Sequence, residues 1–561
     1  MKLYKLIYVL LFILGVTACT DEFDDINTRP DVFYDDEVSG RFFVTRPQFR
    51  LYGPDRYPYW RAQLIHADRY AGHFTFGHSN SWWSDELGYS YSGGYTDAAW
   101  GWLEGYLGDL DNLMKLTEKG GQFENEYMYA MSLIMKGLYY QMFTDIFGMI
   151  PYSQAADPEI VTPKFDTQAA IYKGIIVDLE KAMDIIGDAT KTGIDVNDVG
   201  DNDVYYGGDL QKWKKLANSL ILRISLRAYG ANGEDFSEAT ITEALKRGFL
   251  ETEDDNCLME KDNIISQWGS ASYGDVWHNF GAGSDWTMGQ PLIDLLRNNG
   301  DPRLAKYAQP AIGDTSLMYK PDGPEGAFFD KRVNFITGTL DAAGAVYEGV
   351  LLNDTTYRVV MEPNQYVGQP VRLNSKIKSF ANFNLFSRPA NYIIQQKNKG
   401  EDIAPEIVFT TADTYFLRAE AAVKGLSSED AAMMYEKGIL HAMLMWGIAE
   451  GVADNYIASS PLGKLTGSVD EQLEKIALQR YIAAYTDGFE AWAIVRDTGY
   501  PTELAAGVSD IDIFGLGDIN GLYPQRMRYG SQSVDKNGDE TQVAIGIQGP
   551  DVQSTKLWWA K

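Results

Sequence analysis

The sequence predicts a mainly α fold of stacked αα-hairpins, interrupted by one irregular, loop-rich excursion. Three observations carry this. Apolar residues recur at helical spacing in long segments, and short turns join those segments in pairs. Between about Glu260 and Gly400 the period gives way to Gly- and Pro-rich segments, read as an irregular excursion packed on the helical scaffold. Repeated helix pairs of this kind are the pattern of tetratricopeptide-type solenoids.

Taken in order, Trp60 to Tyr70 (WRAQLIHADRY) reads as a helix. Ser79 to Thr96 (SNSWWSDELGYSYSGGYT) reads as a long loop because of Gly88 and Gly93-Gly94; long loops inside compact domains are usually functional. Trp100 to Met114 and Glu124 to Phe147 follow as helices. The second carries the stripe Tyr127, Met131, Ile134, Leu138, Met142 and Ile146. Asp166 is placed to cap Thr167 to Ile186, whose buried edge is Ile171, Ile175, Leu179, Met183 and Ile186. Gly207 to Tyr229 presents Trp213, Leu216, Leu220, Ile224 and Leu226.

After the excursion, Ala412 to Trp446 returns to hairpins. Gly425 ends the first helix, and Ser427 to Asp430 has capping-box spacing for the next. Ile476 to Pro501 lines up Leu478, Tyr481, Ile482, Tyr485, Phe489 and Trp492 on one face. Asp487-Gly488 is able to tighten or break this helix midway; Gly499 and Pro501 end it. Glu490, Arg496 and Asp497 stand among apolar residues, so the expectation is a core helix with paired charges rather than a catalytic one. Asn537-Gly538 reads as a turn.

Aromatics are 13% of the 561 residues, with 13 Trp and 35 Tyr. This exceeds what packing requires and points to exposed rings used in recognition. A net charge of −29 repels phosphate backbones and anionic lipid, which excludes nucleic acid and favours a neutral ligand. The two cysteines, Cys19 and Cys257, supply no disulfide framework; Cys257 reads as a buried, inert thiol.

Lys2 and Lys5 precede an apolar run, Leu6 to Val16, too short to span a bilayer. Val16-Thr17-Ala18-Cys19 then resembles a lipobox. The resemblance implies that residues 1–18 are a signal peptide, that cleavage precedes Cys19, and that Cys19 is lipidated. Residues 19–45 read as a polar tether and 46–561 as one helical domain, with the loop-rich insertion at about 260–400.

No catalytic or metal pattern stands out. His66, His73, His78, His278 and His441 lack zinc-site spacing. Asp195-x-Asn197 lacks the ligands of a calcium loop, with Tyr206 where a bidentate Glu is required. Asp85 and Glu86 are adjacent, unlike the separated carboxylates of glycosidases. The residues instead suggest flat platforms with a few fixed hydrogen-bonding groups, the chemistry that sugar rings need. These are Trp82, Trp83 and Tyr89 with Asn80, Asp85 and Arg61 or Arg69, and Trp277 and Trp286 in the excursion. No cofactor is implied.

The stretch QRYIAAYTDGFEAWAIVRDTGYP resembles the C-terminal signature of the SusD/RagB family of Bacteroidetes nutrient-binding lipoproteins. FGMIPY resembles that family's FGDVPY turn, with Met149 where Asp is common. TYFLRAEAAVKGL, MYEKGILHAMLMWGI, RMRY and KLWW are similar to further family landmarks. Asp21, Glu22, Asp24 and Asp25 resemble its surface-export signal. The resemblance implies a SusD-like fold in a non-enzymatic protein anchored by lipid in the outer membrane and facing the cell exterior. It also implies delivery of oligosaccharide to a SusC-like TonB-dependent transporter. Starch-binding members draw an aromatic arc from an early loop and a middle insertion, the positions held here by Trp82-Trp83 and by Trp277 and Trp286. Two alternatives stay open: the same transporter lid with peptide cargo, and a surface glycoside hydrolase, which needs two working carboxylates.

Overall fold

A computed structural model describes residues 38–76, 89–261, 270–279, 286–377 and 380–560. Helices dominate. Glu126–Phe147 packs along Gln168–Ile186, which packs in turn on Leu210–Ala228, and Thr411–Val423 pairs with Ala431–Leu444. The mainly α expectation holds, and the pairing follows from the apolar stripes: Met131, Ile134 and Leu138 of one helix are sealed with Ile171, Ile175 and Leu179 of the next.

Side chains define the helix starts. Asn125 accepts the N–H groups of Tyr127 and Met128 at 3.1 and 3.0 Å, and Asp209 accepts those of Gln211 and Lys212. Several boundaries differ from expectation, each for a local reason. Thr167, not Asp166, caps its helix, because the Asp166 carboxylate accepts the backbone N–H groups of Tyr152 and Ser153. Asp430, not Ser427, caps Ala431–Leu444. The helix expected from Trp100 begins at Gly93, so Gly93-Gly94 form its first turn rather than a loop. Asn537 is a kink inside Ser531–Gln548 rather than a free turn.

The Ile476–Pro501 stretch breaks where Asp487-Gly488 allowed it. Val469–Ala483 ends, and Asp487 caps Gly488–Thr498 by accepting the Glu490 N–H at 3.2 Å. A Cβ on Gly488 would lie 2.3 Å from Asp68 Oδ1, so only glycine admits the close approach of this second helix to Tyr59–Asp68.

Glu490, Arg496 and Asp497 are buried; Glu490 is ion-paired, while the Arg496 guanidinium binds the Asp145 and Gln525 backbone carbonyls. The Glu490 carboxylate receives Arg227 at 2.5 Å and Arg480 at 3.2 Å, with Arg223 at 3.7 Å. Arg480 and Arg223 also bind Asp413, at 2.8 and 2.9 Å. Burial opposes ionisation of Asp413, but the two arginines outweigh it and hold the pKa at about 2. Asp145 accepts from Arg227, Gln141, Tyr172 and Trp559, tying the closing KLWW segment to the helix before FGMIPY. The network joins six helices, which is an architectural role.

The excursion has its own apolar cluster. A three-stranded sheet, Asp314–Tyr319 and Tyr347–Asn353 flanking Thr356–Met361, packs with Phe329–Ala342 around Met318, Ile336, Val359 and Phe380. Cys257 is buried, and burial pushes its thiol pKa well up. No helix among the described residues is long and apolar enough to cross a membrane.

Candidate functional site

Asn80, Trp82, Trp83, Asp85 and Cys19 lie outside the described residues. Phe74–Phe76 and Trp286–Met288 form a two-stranded antiparallel ribbon with Phe76 opposite Trp286. The chain therefore enters the segment that carries Trp82 and Trp83 directly across from the point where it leaves segment 280–285. Two aromatic-bearing segments some two hundred positions apart in sequence start from one end of one ribbon.

Trp286 is itself 3% exposed, packed between Phe74 and the edge of Trp277. It is a packing residue and offers no free face, which corrects its expected use as a platform. Tyr89 is corrected in the same way. It is 1% exposed, its hydroxyl donates to the Arg69 carbonyl at 2.9 Å, and its ring lies between the guanidinium groups of Arg69 and Arg372. Trp277 is half-buried and is the described member of the expected set whose indole reaches solvent.

Trp277 sits on the short helix Tyr273–Asn279, which is held from two sides. Underneath, the Tyr273 hydroxyl lies 3.0 Å from Asp68 and 3.1 Å from the Thr486 carbonyl, its single proton directed to one or shared between them, and Gln63 donates to the Tyr273 oxygen. Laterally, Gly274 lies so close to residues 394–395 that a Cβ would meet the Gln395 carbonyl oxygen at 1.8 Å. Lys397 donates to the Ser270 carbonyl, and His278 bonds the Ile394 carbonyl at 3.0 Å. The helix is anchored against the QRYIAAYTDGF stretch, a rigid mount for a binding ring.

Of the expected hydroxyl partners, Arg69 is buried beneath Tyr89. Arg61 donates to the Gly94 carbonyl at 3.0 Å and lies against the rings of Tyr57, Trp60 and Tyr95. Tyr57 is 44% exposed. This cation–aromatic group was not singled out from sequence; its signal was the i, i+3, i+4 spacing of Tyr57, Trp60 and Arg61, which puts them on one side of a helical turn.

The carboxylates on these elements are committed to structure. Asp68 accepts from Tyr273, and burial holds its pKa well above the usual carboxylate range. Glu406 binds Lys261 and accepts from Tyr59, and Asp275 accepts from Ser272. His66 and His73 are driven by burial to pKa values of about 4 and about 3, hence neutral. Among the described residues, no group of three or more His, Cys, Asp or Glu side chains is arranged to hold a metal ion.

Residues 62–324 and 353–529 match the SusD-like family, described as starch-binding and associating with the outer membrane. The chain belongs to the SusD-like family. Solved structures agree in fold. A chitin-binding protein aligns with a TM-score of 0.72 at 24% identity, covering 93% of this chain and 100% of its own. A SusD homolog from Bacteroides vulgatus gives 0.69 at 22%, covering 94% and 99%. A Bacteroidetes SusD-like protein gives 0.70 at 20%, covering 93% and 100%. No curated protein matches the sequence. In this SusD-like chain, the QRYIAAYTDGFEAWAIVRD stretch is the keystone of the helical scaffold.

Proposed function

We propose that this SusD-like protein binds neutral oligosaccharide at the cell surface and passes it to a SusC-like TonB-dependent transporter without cleaving it. The observation that carries the reading is the rigidly mounted, half-buried Trp277, whose ring contacts Trp286 at the Phe76–Trp286 pairing. Sugar rings stack their apolar C–H faces on such indoles, and the Arg61–Tyr57 group adds a polar edge on the neighbouring helical turn. The chitin-binding relative favours β-linked amino sugars as the first class to try. On this reading residues 1–18 are removed, Cys19 is lipidated, the segment after it tethers the domain, whose packed part already includes Val44, to the outer membrane, and the binding face looks outward. Several acyl chains on one cysteine hold stably where a single chain is marginal.

The test is a panel of neutral glycans and of peptides presented to the mature protein, with new reducing ends assayed in parallel. Expected are binding of a glycan, no cleavage, and a ~10-fold loss in Trp82→Ala, Trp83→Ala or Trp277→Ala, from removal of one stacked ring. Affinity unchanged in all three variants would overturn this site. Peptide binding alone would move the cargo to the alternative, and new reducing ends would make the protein a hydrolase.

A further inference from the structure

We propose a second saccharide subsite in the open groove beneath Trp446, apart from the Trp277 face. The groove encloses about 640 Å³, within the range of ligand sites. Its walls carry Tyr366, Tyr392 and Trp446, and its polar groups are the Gln309 and Asn391 amides and the Lys306 ammonium. No acidic residue lines it, in a chain with 78 of them. Another groove, about 670 Å³, carries Asp294, Glu503 and Asp510 in its walls and lacks this character.

The donor and acceptor chemistry suits a polyol. The Gln309 amide nitrogen donates to the Pro389 carbonyl at 2.8 Å and to the Asn391 side-chain oxygen at 2.9 Å. That leaves the Asn391 NH₂ and the Gln309 carbonyl oxygen, one donor and one acceptor group, for vicinal hydroxyls. Tyr392 is 37% exposed and supplies a ring face; burial, then the charges of Asp402 and Glu260, raise its phenol pKa. Lys306 already donates to the Gly447 carbonyl at 3.4 Å.

The groove is coupled mechanically to the first face. Ring contacts run without a gap from Trp446 to Tyr307 (4.9 Å between centroids), Tyr485 (4.2 Å), Phe74 (5.5 Å), Trp286 (6.4 Å) and Trp277 (6.5 Å). Both sites therefore rest on one packed aromatic spine with a fixed separation, so a long glycan is held at two points and gains from effective concentration.

The saccharide class rests on the function proposed above; the location does not. The test is hydroxyl-radical footprinting of the mature protein with chitohexaose, maltohexaose and cellohexaose, each read at Tyr392 and Trp446 and separately at Trp277. Expected is a threefold or greater slowing of Tyr392 oxidation by at least one of the three, about the protection one stacked ring confers, abolished at Trp446 in the surface variant Asn391→Ala/Tyr392→Ala. Protection of Trp277 without Tyr392 would overturn the groove and leave the function standing. Protection of Tyr392 without Trp277 would support the groove and count against the first face, and protection of neither would overturn both.

Discussion

Glu490→Gln separates the two readings of the charged keystone. The Glu490 side chain is 6% exposed and receives three arginines, at 2.5, 3.2 and 3.7 Å. Glutamine keeps the volume and one acceptor oxygen but removes the negative charge. Arg223, Arg227 and Arg480 are then left to share Asp145, Asp413 and Glu420. Deleting one partner of a buried pair costs ~3–5 kcal/mol, because the opposite charge stays desolvated. The retained amide contacts place this isosteric change at the lower end, ~3 kcal/mol. The assay is equilibrium urea unfolding followed by tryptophan emission, with glycan affinity measured on the folded variant. The expected result is that stability falls by this amount while affinity is unchanged. Stability within ~0.5 kcal/mol of the parent, the scatter of ordinary surface changes, together with lost binding would refute the architectural assignment.

Three further outcomes follow from the same geometry. Burial, then the charge of Glu490, pushes the Asp487 carboxyl up to about 7, against ~3.9 unfolded. The folded state therefore holds a proton the unfolded chain releases, and this contribution to stability is lost as pH rises from about 4 to about 7. Asp487→Asn keeps the cap and removes the titration. Its stability relative to the parent should rise by ~2–3 kcal/mol over that window, a figure reduced from the full shift because Asp487 retains some solvent contact; parallel pH profiles would contradict it. Gly274→Ala forces a methyl into the Gln395 carbonyl. It should cost at least ~2 kcal/mol and weaken glycan binding by displacing Trp277, read by near-ultraviolet circular dichroism and by affinity. Arg372 donates to the carbonyls of Gly515, Leu516, Gly521 and Leu522. Arg372→Met should cost ~3 kcal/mol by orphaning buried acceptors and hasten proteolysis between Gly507 and Tyr523.

What was legible in the sequence was whatever is local or periodic. The stripe Ile171, Ile175, Leu179 fixes a buried helix edge through 3.6-residue geometry alone, and Asp487-Gly488 marked the one place where the signature stretch was free to bend. The same periodicity correctly put Glu490, Arg496 and Asp497 inside a core helix. Burial draws the Arg496 pKa down to about 9 while its guanidinium binds the Asp145 and Gln525 carbonyls.

Side-chain exposure in the loop-rich regions was not legible, because it depends on partners remote in sequence. Nothing near Tyr89 announces Arg372, and nothing near Trp286 announces Phe74, yet those contacts seal both rings. Competition for a carboxylate was equally hidden: Asp166 satisfies the capping rule, but backbone N–H groups across the Ile150–Pro151 and Phe165–Asp166 pairing claim it first. By itself the sequence determined the helical scaffold and the family, since these follow from spacing and motif. Only the tertiary structure decided which rings face solvent and which segments share an edge, because chain crossings such as Phe76 against Trp286 are set by packing free energy summed over the whole core and not by any local motif.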